Sequence, residues 1–217
     1  MIEMSDLSGN IYIEGPVGRL EALLKEPEGA VTRVAIVCHP HPLFGGTMHN
    51  KVVYRIAKEF QNAGFAVLRF NIRGAGRSEG EHSGGPGEQD DLRAAINFVE
   101  RRYSGAEVWV SGFSFGASVM LRTSCDDPRI QAVIAVGLPA SRHDFSLVGG
   151  CKKMKLFVQG SHDEFGSPSD LERLVNGLDE PKRLVVIEQA GHFFDGQLDE
   201  LARAVSEFIN ASEFTNK

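Results

Sequence analysis

The sequence lacks any excess of positive charge: 23 Lys and Arg stand against 29 Asp and Glu, a formal net charge of −6. Its basic residues adjoin at most in pairs such as Arg101-Arg102, so nothing in it would track a nucleic-acid phosphate backbone. Long apolar runs are missing as well. Strongly apolar stretches such as Val34 to Cys38 fall far short of the ~20 residues that cross a bilayer. Met1 to Gly9 carries Glu3 and Asp6 and has neither a basic start nor an apolar middle, so it does not read as a signal peptide. Cysteine is scarce. Cys38, Cys125 and Cys151 are widely spaced and form no CxxC, which fits a reducing cytoplasm in which disulfides are unnecessary. No repeat, low-complexity segment or linker divides the chain. The expectation is one cytoplasmic domain over residues 1–217, with its core at about residues 11–210 and a polar tail at 211–217.

What is present is an alternation of short β-branched runs with longer amphipathic stretches, the pattern of βαβ units around a largely parallel sheet. Strands are expected at Ile11 to Ile13 and Gly18 to Leu24, the two forming an antiparallel hairpin at one edge. Further strands are expected at Val34 to Cys38, Phe65 to Asn71, Glu107 to Val110, Ile130 to Val136, Lys155 to Gln159 and Leu184 to Ile187. Helices are expected at Asn50 to Ala63, Glu88 to Tyr103, Ala117 to Ser124, Ser169 to Leu178 and Gly196 to Asn210, with a short segment at Ser141 to Lys153. That gives about eight strands and about six helices in an α/β fold. The loop Arg73 to Gly87 holds six glycines and is expected to be exposed.

Gly112-Phe113-Ser114-Phe115-Gly116 is a G-x-S-x-G pentapeptide placed between a strand and a helix. In that setting the turn is so tight that only small residues fit two positions either side of the serine, whose Oγ is pushed above the sheet edge. A serine hydroxyl is a weak nucleophile and needs an adjacent base that is itself held by a carboxylate. Asp163, in Gly160-Ser161-His162-Asp163, and His192, in Ala190-Gly191-His192-Phe193, both follow strands. All three residues fall at carboxyl ends of strands, which gather along one edge of an open parallel sheet. Glu164 beside Asp163, and Asp144 after the preceding strand, are the alternative acids, while Asp195 suits the cap of the last helix.

These motifs, with Arg73-Gly74-Ala75-Gly76-Arg77-Ser78, resemble the α/β-hydrolase family over about Ile11 to Asn210. Within it, the short chain and the loop His39-Pro40-His41-Pro42-Leu43-Phe44-Gly45-Gly46 look most like compact, dienelactone-hydrolase-like bacterial serine hydrolases. The resemblance implies an eight-stranded, mostly parallel sheet with helices on both faces and a minimal cap or none. It also implies a Ser114–His192–Asp163 triad working through an acyl-enzyme. One oxyanion donor would be the N–H of Phe115, the residue after the nucleophile. For the second, the family's His-Gly-x is here His-Pro-His. Pro40 and Pro42 have no N–H, which leaves His41 first and Leu43 second.

Other motifs carry less. His39, His41 and His49 lack a well-spaced cysteine or carboxylate companion, so loop shaping and oxyanion support are expected rather than a metal site. Gly74-Ala75-Gly76-Arg77-Ser78-Glu79 fails the dinucleotide fingerprint at its sixth position, and no cofactor is expected. Only about 15 residues, Pro139 to Lys153, separate two strands where hydrolases of this fold often insert a lid, so the expected site is shallow and open. Phe44, Leu138, Leu147 and Phe193 are candidates for its apolar lining, although Phe193-Phe194 also suits the core. The expected reaction is hydrolysis of small carboxylic esters or thioesters, with no nucleic-acid or membrane partner. A peptidase using the same triad and a non-catalytic hydrolase-fold binding protein are the alternatives.

Overall fold

A computed structural model of the chain describes residues 9–142, 145 and 148–212. Eight strands form one sheet: β1 Gly9–Gly15, β2 Gly18–Lys25, β3 Arg33–Cys38, β4 Ala66–Phe70, β5 Glu107–Phe113, β6 Ile130–Val136, β7 Met154–Gly160 and β8 Lys182–Ile187. Five α-helices join them: α1 Lys51–Asn62, α2 Pro86–Arg102, α3 Phe115–Ser124, α4 Pro168–Asn176 and α5 Leu198–Ser212. Two short 3-10 turns lie at Pro42–Phe44 and Ala140–Arg142. The sheet order is β1-β2-β4-β3-β5-β6-β7-β8. β1 and β2 form the antiparallel hairpin, β2 meets β4 antiparallel, and every pair from β4 onward is parallel.

The sequence explains this arrangement. From β3 to β7 the strands are apolar on both faces, which only a sheet covered by helices on both sides tolerates. One apolar layer lies against α2, α3 and α4, where Leu68, Leu92, Ile96, Met120 and Leu171 meet. The other lies under α1 and α5, around Trp109, Phe60, Phe65, Leu201 and Val205. Asn50 starts α1 where the sequence places a polar cap, its Oδ1 accepting the Val52 N–H at 2.9 Å. Chain progression reverses between β3 and β5, so the loops after these neighbouring strands open a crevice at their carboxyl ends.

Several expectations need correcting. The segment expected as a sixth helix holds no α-helix among the described residues, only the turn at Ala140–Arg142 and tight turns around Val148, whose N–H donates to the Phe145 carbonyl at 2.9 Å. The glycine-rich loop is not simply exposed. Arg73 is buried and clamped to the fully buried Asp91, with Arg73 Nη2 at 2.7 Å from Asp91 Oδ1. Buried Glu88 accepts the N–H of Ser83 at 2.7 Å, the hydroxyl of Ser83 at 2.8 Å and the N–H of Gly85 at 2.6 Å. Contrary to the expectation that disulfides are unnecessary, Cys125 and Cys151 are joined, with Cα atoms 5.2 Å apart. Folding brings together two cysteines that are 26 positions apart in sequence. Asp195 does not cap α5, which begins three residues later, and pairs instead with Lys51.

Candidate active site

Ser114 stands between β5 and α3 with φ 56° and ψ −117°, a left-handed backbone that a serine adopts only under constraint. Its own N–H is fixed on the Val136 carbonyl at 2.9 Å. The flanking glycines are required by space. A Cβ at Gly112 would lie 2.3 Å from the Gly116 carbonyl oxygen, and one at Gly116 would lie 2.4 Å from the carbonyl oxygen of His39. The elbow is thus wedged against the chain leaving β3, which brings the His39–Gly46 loop beside the serine.

Asp163 and His192 follow β7 and β8 and meet the serine at the same sheet edge. His192 Nδ1 lies 2.8 Å from Asp163 Oδ2, and Nε2 lies 2.9 Å from Ser114 Oγ. A carboxylate only accepts, so Nδ1 carries the hydrogen and Nε2 is free to accept the Ser114 hydroxyl proton. Asp163 is held by three more donors: the N–H groups of Phe165 and Gly166 on Oδ1, at 2.8 and 2.9 Å, and Gln159 Nε2 on Oδ2 at 2.8 Å. Both side chains are buried, while Ser114 faces the cleft. Glu164 is no rival partner for the ring; it accepts the backbone N–H of His192 at 3.2 Å. Asp144 lies outside the described residues.

Phe115 and His41 line the cleft together with Ser114 and His192. Phe115 begins α3, so its N–H has no partner inside the helix. In the loop, the N–H groups of Phe44 and Gly46 donate to the His41 carbonyl, that of Gly45 to Pro42 and that of Leu43 to His41 Nδ1. Among the described residues the His41 N–H has no acceptor, whereas that of Leu43 is engaged by His41 Nδ1, which favours His41 over Leu43. The His41 ring packs on Phe115 and on His82, with centroids 4.9 and 4.6 Å apart, and burial lowers its pKa below the ordinary value.

Residues 32–148 match a protein-family model described as Hydrolase_4: serine aminopeptidase, S33. This chain belongs to that family of α/β serine hydrolases. It is 33% identical over 208 residues to an uncharacterized protein of Rickettsia prowazekii, covering 92% of this chain and 87% of the relative. An α/β serine hydrolase homologue from Coxiella burnetii superposes with TM-score 0.87 at 38% identity, covering 91% of this chain and 95% of that one. A lidless α/β serine hydrolase from Xanthomonas campestris superposes with TM-score 0.88 at 37% identity, covering 94% of each chain.

In this hydrolase the cleft above Ser114 has a volume of about 510 Å³, within the range of small-molecule sites. Phe44 and Phe193 line it, as expected, and are 88% and 40% exposed. Phe194 belongs to the core, so the two adjacent phenylalanines divide between the roles. Leu138 is fully buried in the core and does not line the cleft, while Leu147 lies outside the described residues. Sequence reading missed Phe165, Pro139 and Arg142, which also face the cleft. Only the Gly-Leu-Pro step after β6 signals that the chain turns there, and it does not say which side chain turns inward. Arg142 lies with its guanidinium 5.6 Å from the Phe165 ring centre. No helix of the described residues is long and apolar enough to cross a membrane.

Proposed function

We propose that this serine hydrolase cleaves small carboxylic esters or thioesters through an acyl-enzyme on Ser114. The observation that carries this is the unbroken contact from Ser114 Oγ through His192 to Asp163 at the floor of the cleft. His192 takes the Ser114 proton as Oγ attacks the acyl carbonyl, and Asp163 stabilises the resulting imidazolium. The N–H groups of Phe115 and His41 receive the negative charge that develops on the carbonyl oxygen. The intermediate collapses, and the leaving alcohol or thiol departs with the proton held by His192. Water then attacks the acyl-enzyme with His192 as base, which releases the carboxylic acid and restores Ser114.

The family's description raises a second reading, removal of an amino-terminal residue from a peptide. An aminopeptidase must seat the substrate's ammonium group, for which a carboxylate is the natural partner. Among the described residues the lining of this cleft carries no Asp or Glu, and its one permanent charge is the positive Arg142. That favours the ester. The test is labelling of the native protein by a fluorophosphonate, beside Ser114→Ala and His192→Ala, followed by paired rates on p-nitrophenyl esters, acyl thioesters and aminoacyl p-nitroanilides. Labelling lost in Ser114→Ala, with esters or thioesters turned over faster than anilides, is expected. A folded native protein that takes no label would end the hydrolytic reading, and anilides as the better substrates would replace it with the peptidase.

A further inference from the structure

The peptide bond between Pro40 and His41 has two polar groups, and in a trans peptide they point in opposite directions. Its N–H, on His41, is a loop donor without an acceptor among the described residues. Its C=O, on Pro40, lies 2.6 Å from Nδ1 of His39. The other ring nitrogen of His39, Nε2, lies 3.1 Å from the N–H of Ile72. A carbonyl only accepts and an amide N–H only donates, so Nδ1 must carry the hydrogen and Nε2 must be bare. The two neighbours therefore admit one tautomer of a neutral ring. Burial supports this: His39 is 1% exposed, and loss of solvent pushes its pKa down to about 4.

The anchor of this chain is itself fixed. Ile72 directly precedes Arg73, whose N–H donates to Asp91 Oδ2 at 2.9 Å while its guanidinium binds the same carboxylate. From there the bonds run head to tail: Ile72 N–H to His39 Nε2, and His39 Nδ1–H to the Pro40 carbonyl, whose peptide joins two residues that line the cleft. An amide whose carbonyl accepts a strong hydrogen bond is a more polar donor at its nitrogen. Donors fixed before the reaction are those that lower a barrier most.

We propose that His39 is a positioning residue for acyl transfer at Ser114, aiming and polarising the Pro40–His41 peptide so that its N–H meets the tetrahedral oxyanion. This rests on the ester-hydrolase reading above. A histidine that merely satisfied buried polar groups would affect stability and leave discrimination between ground and transition state unchanged.

The test compares native enzyme, His39→Ala and His39→Asn on one activated ester, with dissociation constants for a trifluoromethyl ketone of the same acyl group and for the product acid. Loss of one oxyanion donor costs on the order of 100-fold in kcat, and a fall of that size is expected for His39→Ala, with KM within about twofold. The ketone, which presents a tetrahedral oxyanion, weakens by a similar factor while the product acid does not. His39→Asn keeps an N–H that reaches the Pro40 carbonyl and recovers about tenfold or more of the loss. A His39→Ala enzyme with native kcat, unchanged ketone affinity, or an Asn variant no better than Ala overturns the proposal. Should the variants not fold, nitrogen NMR of the native protein decides: a bare Nε2 and protonated Nδ1 on His39 are expected, and the opposite tautomer refutes the arrangement. A native protein inactive on every ester removes both readings, whereas an active enzyme indifferent to His39 removes only this one.

Discussion

At the residue scale, Asp163 has its two oxygens filled by different kinds of donor: backbone N–H groups on Oδ1, and Gln159 and His192 on Oδ2. Asp163→Asn can keep the backbone bonds, and hence the turn, but sets an amide against the ring and disturbs its tautomer. The expected result is a folded protein whose kcat falls about 10⁴-fold, read from single-turnover acylation beside a circular dichroism spectrum. Gly116→Ala tests the wedge instead. Its added carbon would meet backbone oxygens of Cys38 and His39, which cannot rotate away. A loss of roughly 1–3 kcal/mol in urea unfolding, with a fall in kcat as the loop shifts, is expected. The sequence made Ser114, Asp163 and His192 legible because each sits in a short motif tied to a strand end. It left Phe165 and Arg142 hidden and misplaced Leu138, because an irregular loop gives no period from which to read facing direction.

At the scale of elements, every strand and all five α-helices stand within a few residues of where hydrophobic period and turn residues placed them. The failures at the loop before α2 and at Cys125 share one cause: they depend on side-chain partners that hydrophobic period does not reveal. The loop before α2 looked solvated from its glycines, but Asp91 and Glu88 on the helix draw it inward. Cys125 looked isolated until the end of α3 met the segment before β7 at Cys151. Closing that 26-residue span restricts the unfolded chain and contributes about 3–4 kcal/mol in the loop-entropy account. Urea unfolding of oxidised and dithiothreitol-treated protein should differ by that order. Equal midpoints, with the thiols shown to be free in the treated sample, would mean that the bond adds nothing.

At the scale of the whole molecule, the neutral His39 makes stability depend on pH. Its native pKa of about 4 lies below the ordinary 6.5, so between those values the unfolded chain binds a proton that the folded one refuses. The contribution is complete above pH 6.5 and is lost as pH falls toward about 4, a total of roughly 3 kcal/mol. The native protein should therefore lose more unfolding free energy than His39→Asn on going from neutral to acid. Parallel losses in the two proteins would count against a neutral buried ring. The order in which the cleft is assembled has another effect. Its loop, serine, carboxylate and imidazole come from residues 39–46, 114, 163 and 192, following β3, β5, β7 and finally β8 at the sheet edge. During synthesis on the ribosome the serine emerges long before its base, so a nascent or prematurely terminated chain shorter than 192 residues carries the nucleophile without the means to activate it. Translation itself then acts as the timer, withholding His192 from Ser114 until β8, the last strand of the sheet, has been made.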